Sequence, residues 1–478
     1  MLFLALMWFQ FIAAYQIDDA YIIYRYCDNL IQGNGFVYNL GERVEGVTCF
    51  LWTLFLTPFA MLPHLLPKIT PYITATAGCC VLMLVPGISR RLRERNNADW
   101  LDWSASILLA SHSSFAFWSF GSLETVPFTL LLVLAFRSYL LEAQVKKGLW
   151  SAIWVGLATL TRPKMILFLF AFIPNMFPYS KNNGRSLLLW SLIVVAFLLP
   201  LLLFRIYYFN DLLPNTYYAK AGASLTEKVH GGGLYSLNFF GSLIPAVGKN
   251  VVLTGLSGLL FILLVIFGLI RPHLRRLSLL LILIGFGTLV SGGDWMPLSR
   301  FWLPGLPFIY LLFVSALDCY ICLPGKPIKY LYIIIVIFVF HNLSYGFQEY
   351  YKAGGISVYK NVEAINHQIA QTISQLAQSD DNIALMDIGQ IGYETGLRIT
   401  DISGLVTPWV AKSPGGFLNK QYPVEQLLED KPRFVLLRPS FPIDYRVYTN
   451  PSFQINYRLI KNVELPRDRM LIFERHSG

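Results

Sequence analysis

Residues 186–206 read SLLLWSLIVVAFLLPLLLFRI, with one charge in twenty-one positions. At 1.5 Å rise per residue such a run spans the ~30 Å hydrocarbon core of a bilayer. It is the clearest of twelve apolar stretches: 1–15, 49–66, 69–89, 103–120, 125–141, 149–161, 165–178, 186–206, 250–270, 277–291, 301–317 and 328–343. The shorter ones are flanked by Tyr, Trp, Phe and Pro, which extend a helix into the interface. The whole chain agrees: of 478 residues 55% are hydrophobic and 14% charged, where a soluble domain carries roughly 25%. Mean hydropathy is +0.51. Disorder, a fibrous protein and a string of soluble domains are excluded.

The net charge of +10 and pI of 9.2 do not point to nucleic acid, because the basic residues sit in short clusters between apolar runs. These are Arg90, Arg91, Arg93 and Arg95; Lys146 and Lys147; Lys181 and Arg185; Arg271, Arg275 and Arg276; Lys326 and Lys329. By the positive-inside rule all five clusters are cytoplasmic. Consecutive clusters are two spans apart, except at the start. Pro58, Pro63 and Pro67 break 49–66, which suits a re-entrant or interfacial segment. The expectation is about eleven transmembrane helices, the N-terminus inside and the C-terminus outside. The fold class expected is an all-α polytopic domain over 1–343 with a soluble α/β domain over 344–478. In the latter an amphipathic helix near 357–378 and strands near 383–387, 397–401, 433–438 and 469–474 are predicted. Stretch 1–15 lacks the basic start and small-residue cleavage site of a signal peptide. No internal repeat or low-complexity run is present.

The six cysteines make no disulfide framework, and Cys319 with Cys322 lacks a second pair for zinc. Walker, GxSxG and HExxH motifs are missing, which argues against nucleotide-driven transport, serine hydrolysis and zinc proteolysis.

On this topology the unusual polar residues gather on the outer rim. Asp18 and Asp19 open the first loop, 16–48. Adjacent carboxylates repel, so one is suited to act as a general base, or both to hold a divalent cation such as Mg²⁺ or Mn²⁺. Asp18 is equally suited to cap a helix running through Arg25 to Ile31. Arg25, Arg162, Lys220 and Arg300 are candidate phosphate ligands or snorkelling interfacial cations. Asp294, after Gly292-Gly293, offers Arg300 a carboxylate. Glu45, two residues from Arg43, and Glu124 are substrate contacts or structural partners. Tyr217 and Tyr218 fit a sugar face or an aromatic belt.

QIDDAYIIYRYCDNLIQGNGFVYNLGERVEGVTCFLW (16–52) resembles the first extracytoplasmic loop of GT-C class integral-membrane glycosyltransferases. It is most similar to the actinobacterial terminal arabinofuranosyltransferases and to related pilin arabinosyltransferases. PNTYYAKAG (214–222), SGGDWMPLSRFWLPGLP (291–307) and IALMDIGQIGYETGLRITDISGLVTP (383–408) match the same pattern in order. Where the family has VEGYTN this chain has Val44-Glu45-Gly46-Val47-Thr48-Cys49. The resemblance implies a bacterial inner-membrane enzyme taking arabinofuranose from a polyprenyl-phosphate donor, with Asp18 and Asp19 at the reaction centre outside the bilayer. It implies a glycan or pilin-like protein acceptor. Two other readings are a transporter or flippase of lipid-linked sugar, and an anchored sensor of envelope glycans.

Overall fold

A computed structural model describes the chain except residues 1, 14–15, 98, 146–148, 173–180, 245–250, 322–328, 353–354, 360 and 477–478. Lys146, Lys147, Cys322, Lys326 and the end of the 165–178 stretch fall outside the described residues. The chain divides into two compact units. The first holds 1–13, 71–199 and 225–352; the second holds 14–70, 200–224 and 353–478.

The first unit is helical. Among the described residues five helices are long and apolar enough to cross a membrane, including Leu66–Leu92, Gly184–Phe209, Leu303–Tyr320 and Tyr330–Tyr351. Several expected spans are shorter as helices. The stretch expected over 103–120 is broken into Trp100–Ser111 and Ser113–Ser119, and 277–291 forms Arg275–Val290 of 16 residues. Helix Thr125–Val145 packs on Trp150–Thr161, and Leu225–Leu243 on Arg275–Val290. One basic cluster is more than a topology signal. Arg93 is buried and bonds Asp99, Asp102 (2.9 Å) and Asp318 (3.1 Å), so its charge is neutralised inside the unit.

The second unit is built from three separate stretches. Residues 49–66 contain only helix Phe50–Leu56 and a 3₁₀ turn Thr57–Met61. Twelve residues rise about 18 Å, too little to cross the core. Helix Asp18–Ile31 packs on both. The C-terminal part carries a five-stranded sheet of β1 (Asn382–Leu385), β2 (Arg398–Asp401), β3 (Phe434–Leu437), β4 (Tyr457–Leu465) and β5 (Asp468–Arg475). The order is β2-β1-β3-β5-β4, with β1 parallel to β2 and β3, and β5 antiparallel to β3 and β4. β1 and β3 are buried at every position, as central strands of a covered sheet must be. Ala384, Val435, Leu437, Ile443, Phe453 and Phe473 form its core. The amphipathic helix appears as Val362–Leu376. β4 was not expected. Its Arg458, Lys461, Asn462 and Glu464 suit an edge strand but hide the apolar alternation.

Candidate functional site

In the second unit the first loop is locked to the sheet region by its charges. The N-cap of helix Asp18–Ile31 is Ile17, with no side-chain cap bond. The cap expected of Asp18 is therefore made elsewhere. Its Oδ2 accepts from the Gly389 N–H (2.8 Å) and its Oδ1 from the Gln390 N–H (2.9 Å). These open the short helix Gln390–Thr395, whose positive end favours a carboxylate. Gly389 is required because a Cβ there would meet the Asp18 backbone oxygen and carboxylate.

Arg25 lies seven residues on, two turns along the same helix face. It bonds the other end of Gln390–Thr395. Its Nη1 donates to the Gly392 carbonyl (2.6 Å), Nη2 to Leu397 (2.7 Å) and Gly396 (3.5 Å), and Nε to Tyr38 (2.8 Å). The guanidinium also stacks over the Tyr38 ring at 4.2 Å. This arrangement corrects the phosphate-ligand expectation for Arg25: its donors are committed to main-chain carbonyls. Burial, the neighbouring Asp387 and then Asp19 push the Asp18 carboxyl up to about 7, against the two N–H bonds. Asp19 is half-buried beside it.

Glu45 does not pair with Arg43. It forms a two-point ion pair with Arg205, 2.8 Å at each oxygen, and both are buried. Arg43 instead sits over the Tyr208 ring at 4.8 Å. Arg205, in the π-helical turn Arg205–Phe209, was missed because nothing in local spacing links it to a residue 160 positions earlier. Asn215 extends the clamp: its N–H bonds the Glu45 carbonyl (3.0 Å), and its Nδ2 donates to the Gly404 and Leu405 carbonyls. Segments 16–52, 214–222 and 383–408 thus converge in one unit. Tyr218 donates to Asp211 (2.6 Å); Tyr217 and Lys220 are exposed, with Lys220 Nζ 5.3 Å from the Phe417 ring centre.

The first unit gathers the other candidates. Arg162 Nε donates to Glu124 Oε1 (2.8 Å) and its Nη2 to Thr125 (2.7 Å). Arg300 Nε donates to Asp294 Oδ2 (2.6 Å), the partner expected for it. Burial raises the Glu124 carboxyl, but Arg162 and Arg300 outweigh it and hold it below its ordinary value. Tyr235, missed in the sequence, accepts the Phe301 N–H (3.0 Å) between these groups, and burial with Asp294 raises its phenol. Gly292 and Gly293 have φ of +78° and +81°, and a Cβ on Gly293 would press on Tyr235 at 2.8 Å. Lys164, also missed, places Nζ 3.4 Å from the Phe301 ring centre. Arg162 and Lys164 line a narrow groove of about 20 Å³, together with Phe128, Phe168, Ile284 and Phe301. The cluster has three cations and two carboxylates, so it attracts an anion.

Among the described residues no three His, Cys, Asp or Glu side chains converge as a metal site. The cation considered for Asp18 and Asp19 would take its remaining ligands from water or substrate.

Residues 356–474 match a family described as a domain of unknown function (DUF8728). Curated protein sequences give no match. The crystal structure of ArnT from Cupriavidus metallidurans bound to undecaprenyl phosphate aligns with a TM-score of 0.59 at 11% identity, covering 98% of this chain and 96% of that one. The fold is the ArnT-like GT-C fold, mostly helical with a small C-terminal sheet domain.

Proposed function

We infer that this chain is a membrane glycosyltransferase that moves a sugar, arabinofuranose by the resemblance of its loops, from a polyprenyl monophosphate to a hydroxyl of an envelope glycan or protein. The reaction takes place on the outer side of a bacterial inner membrane. The observation that carries the reading is the cluster of Arg162, Lys164 and Arg300 with Glu124 and Asp294, bordered by Phe128, Phe168 and Phe301. Support comes from the shared fold with a protein crystallised with undecaprenyl phosphate.

Asp18 uses both oxygens on the Gly389 and Gln390 amides. By the resemblance of the first loop, the base is assigned to Asp19. Its carboxylate takes the proton as the acceptor oxygen attacks the anomeric carbon. The bond from that carbon to the phosphate oxygen breaks and the phosphate leaves; Arg162 and Arg300, in the first unit, are the guanidiniums suited to bind a phosphate. Charge stabilisation at the leaving phosphate and positioning supply most of the rate. Glu124 and Asp294 hold the two guanidiniums in place.

The test is incubation of the purified protein with synthetic prenyl-phosphate sugars, with and without EDTA, read by mass spectrometry of the acceptor. Sugar joined to the acceptor supports transfer. Sugar that only changes leaflet supports a flippase instead, and near-normal transfer by Asp19→Ala removes the assigned base.

A further inference from the structure

A second cleft lies wholly within the sheet-bearing unit, along the edge strand β2. It is lined by Glu42, Arg398, Thr400, Thr407, Trp409 and Asp430, among others, and holds about 250 Å³. That volume lies just below the roughly 300–1,000 Å³ of sites for drug-sized ligands and suits a ligand of a single ring.

Its polar groups are tied into one network. Arg398 Nε donates to Glu42 Oε1 at 2.7 Å, and its Nη1 lies 3.9 Å from Asp430 Oδ2. Thr400 Oγ1 donates to Asp430 Oδ2 (3.1 Å), and Asn39 Nδ2 to Glu42 Oε2 (3.0 Å). The wall itself is fixed, because Asn39 bonds both the N–H and the carbonyl of Ile399 and closes the free edge of β2. The charged side chains stay open to solvent: 46% of Arg398, 32% of Glu42 and 33% of Asp430. Trp409 is half-buried and held edge-on by Tyr422, with ring centres 5.2 Å apart.

The chemistry selects the ligand class. Two carboxylates against one guanidinium disfavour a phosphate or carboxylate ligand. No three metal-ligating side chains converge among the described residues, which disfavours a bound cation. A neutral polyol fits both halves. Its hydroxyls donate to Glu42 and Asp430 and accept from Arg398, and its C–H face stacks on indole.

We propose that this cleft binds a neutral sugar residue of a glycan, stacked on Trp409 and bridged between Arg398 and the Glu42 and Asp430 carboxylates. Binding here does not depend on transfer activity, so it stands or falls separately from the enzymatic reading.

The test uses the full-length protein in a detergent without a sugar headgroup. It is titrated with neutral arabino-, manno- and gluco-oligosaccharides and with phosphorylated counterparts, read by saturation-transfer NMR and calorimetry. Saturable binding of at least one neutral oligosaccharide is expected, with its phosphorylated form about tenfold weaker. Trp409→Ala raises Kd about tenfold. Because Trp409 also packs on the sheet core, Asp430→Asn provides a second reading at a partly exposed side chain, with a similar rise. The proposal is overturned if no neutral oligosaccharide binds, if the phosphorylated form binds as tightly or more tightly, or if Asp430→Asn leaves Kd unchanged.

Discussion

Arg162 and Arg25 are both buried guanidiniums in a chain poor in charge, yet they are held in opposite ways. Arg162 donates to a carboxylate and a hydroxyl on the lining of a narrow apolar groove. Arg25 donates to three main-chain carbonyls at the end of a short helix and to that of Tyr38. A carboxylate partner shares an arginine with an arriving phosphate, since both are oxyanions; carbonyls of a folded backbone do not move aside. The two acids divide in the same manner, with Asp18 holding amides and Asp19 assigned to the reaction.

The strongest way to break this contrast is at Asp19. Asp19→Asn is expected to slow transfer by about 10²–10⁴-fold, the range for a general base, a larger effect than any change in melting temperature. A stability loss without a rate loss would place Asp19 on the structural side. Arg25→Leu is expected to do the reverse. It strips partners from buried carbonyls and costs about 3 kcal/mol or more in denaturant melts, with an unchanged donor KM in what remains folded. Gly389→Ala pushes Asp18 out of its seat and is expected to cost about 1–3 kcal/mol by the same measurement. Arg300→Lys, which keeps charge but loses the planar fork, is expected to raise donor KM about tenfold, with a small fall in melting temperature as its buried pair with Asp294 loosens. An unchanged KM would take Arg300 out of the phosphate site.

The smallest effect is one of pH. The folded state holds the Asp18 proton more tightly than the unfolded chain, since its carboxyl lies at about 7. Its contribution therefore favours folding at low pH. That contribution is lost as pH rises from about 4 towards about 7 and is constant above. Asp18→Asn should remove this part of the slope of melting temperature against pH; an identical slope in the variant would count against a buried, protonatable Asp18.

Much of this was legible in the sequence, for physical reasons. Apolar length announces helices, and the β-branched and aromatic strands β1, β2, β3 and β5 stand out between turn residues. Asp294 beside Arg300 was readable because the partners are six residues apart on a glycine turn. Three things were not readable. β4 is an edge strand with a polar sequence. Glu45 finds Arg205, not the nearby Arg43, because a buried carboxylate takes whichever cation tertiary packing delivers. Asp18 looked like a cap for its own helix and proved to be one for a helix 371 residues further along the chain.

That last distance sets a timetable for biogenesis. At roughly 5–20 residues per second a ribosome needs about twenty to seventy-five seconds to pass from residue 18 to residue 389. Through that interval the nascent first loop carries an acid whose amide partners are not yet synthesised and a guanidinium that has only Tyr38 of its partners. A transcript cut short before the DIGQIG stretch (387–392) yields a polypeptide whose loop can never close, a natural substrate for quality-control proteolysis.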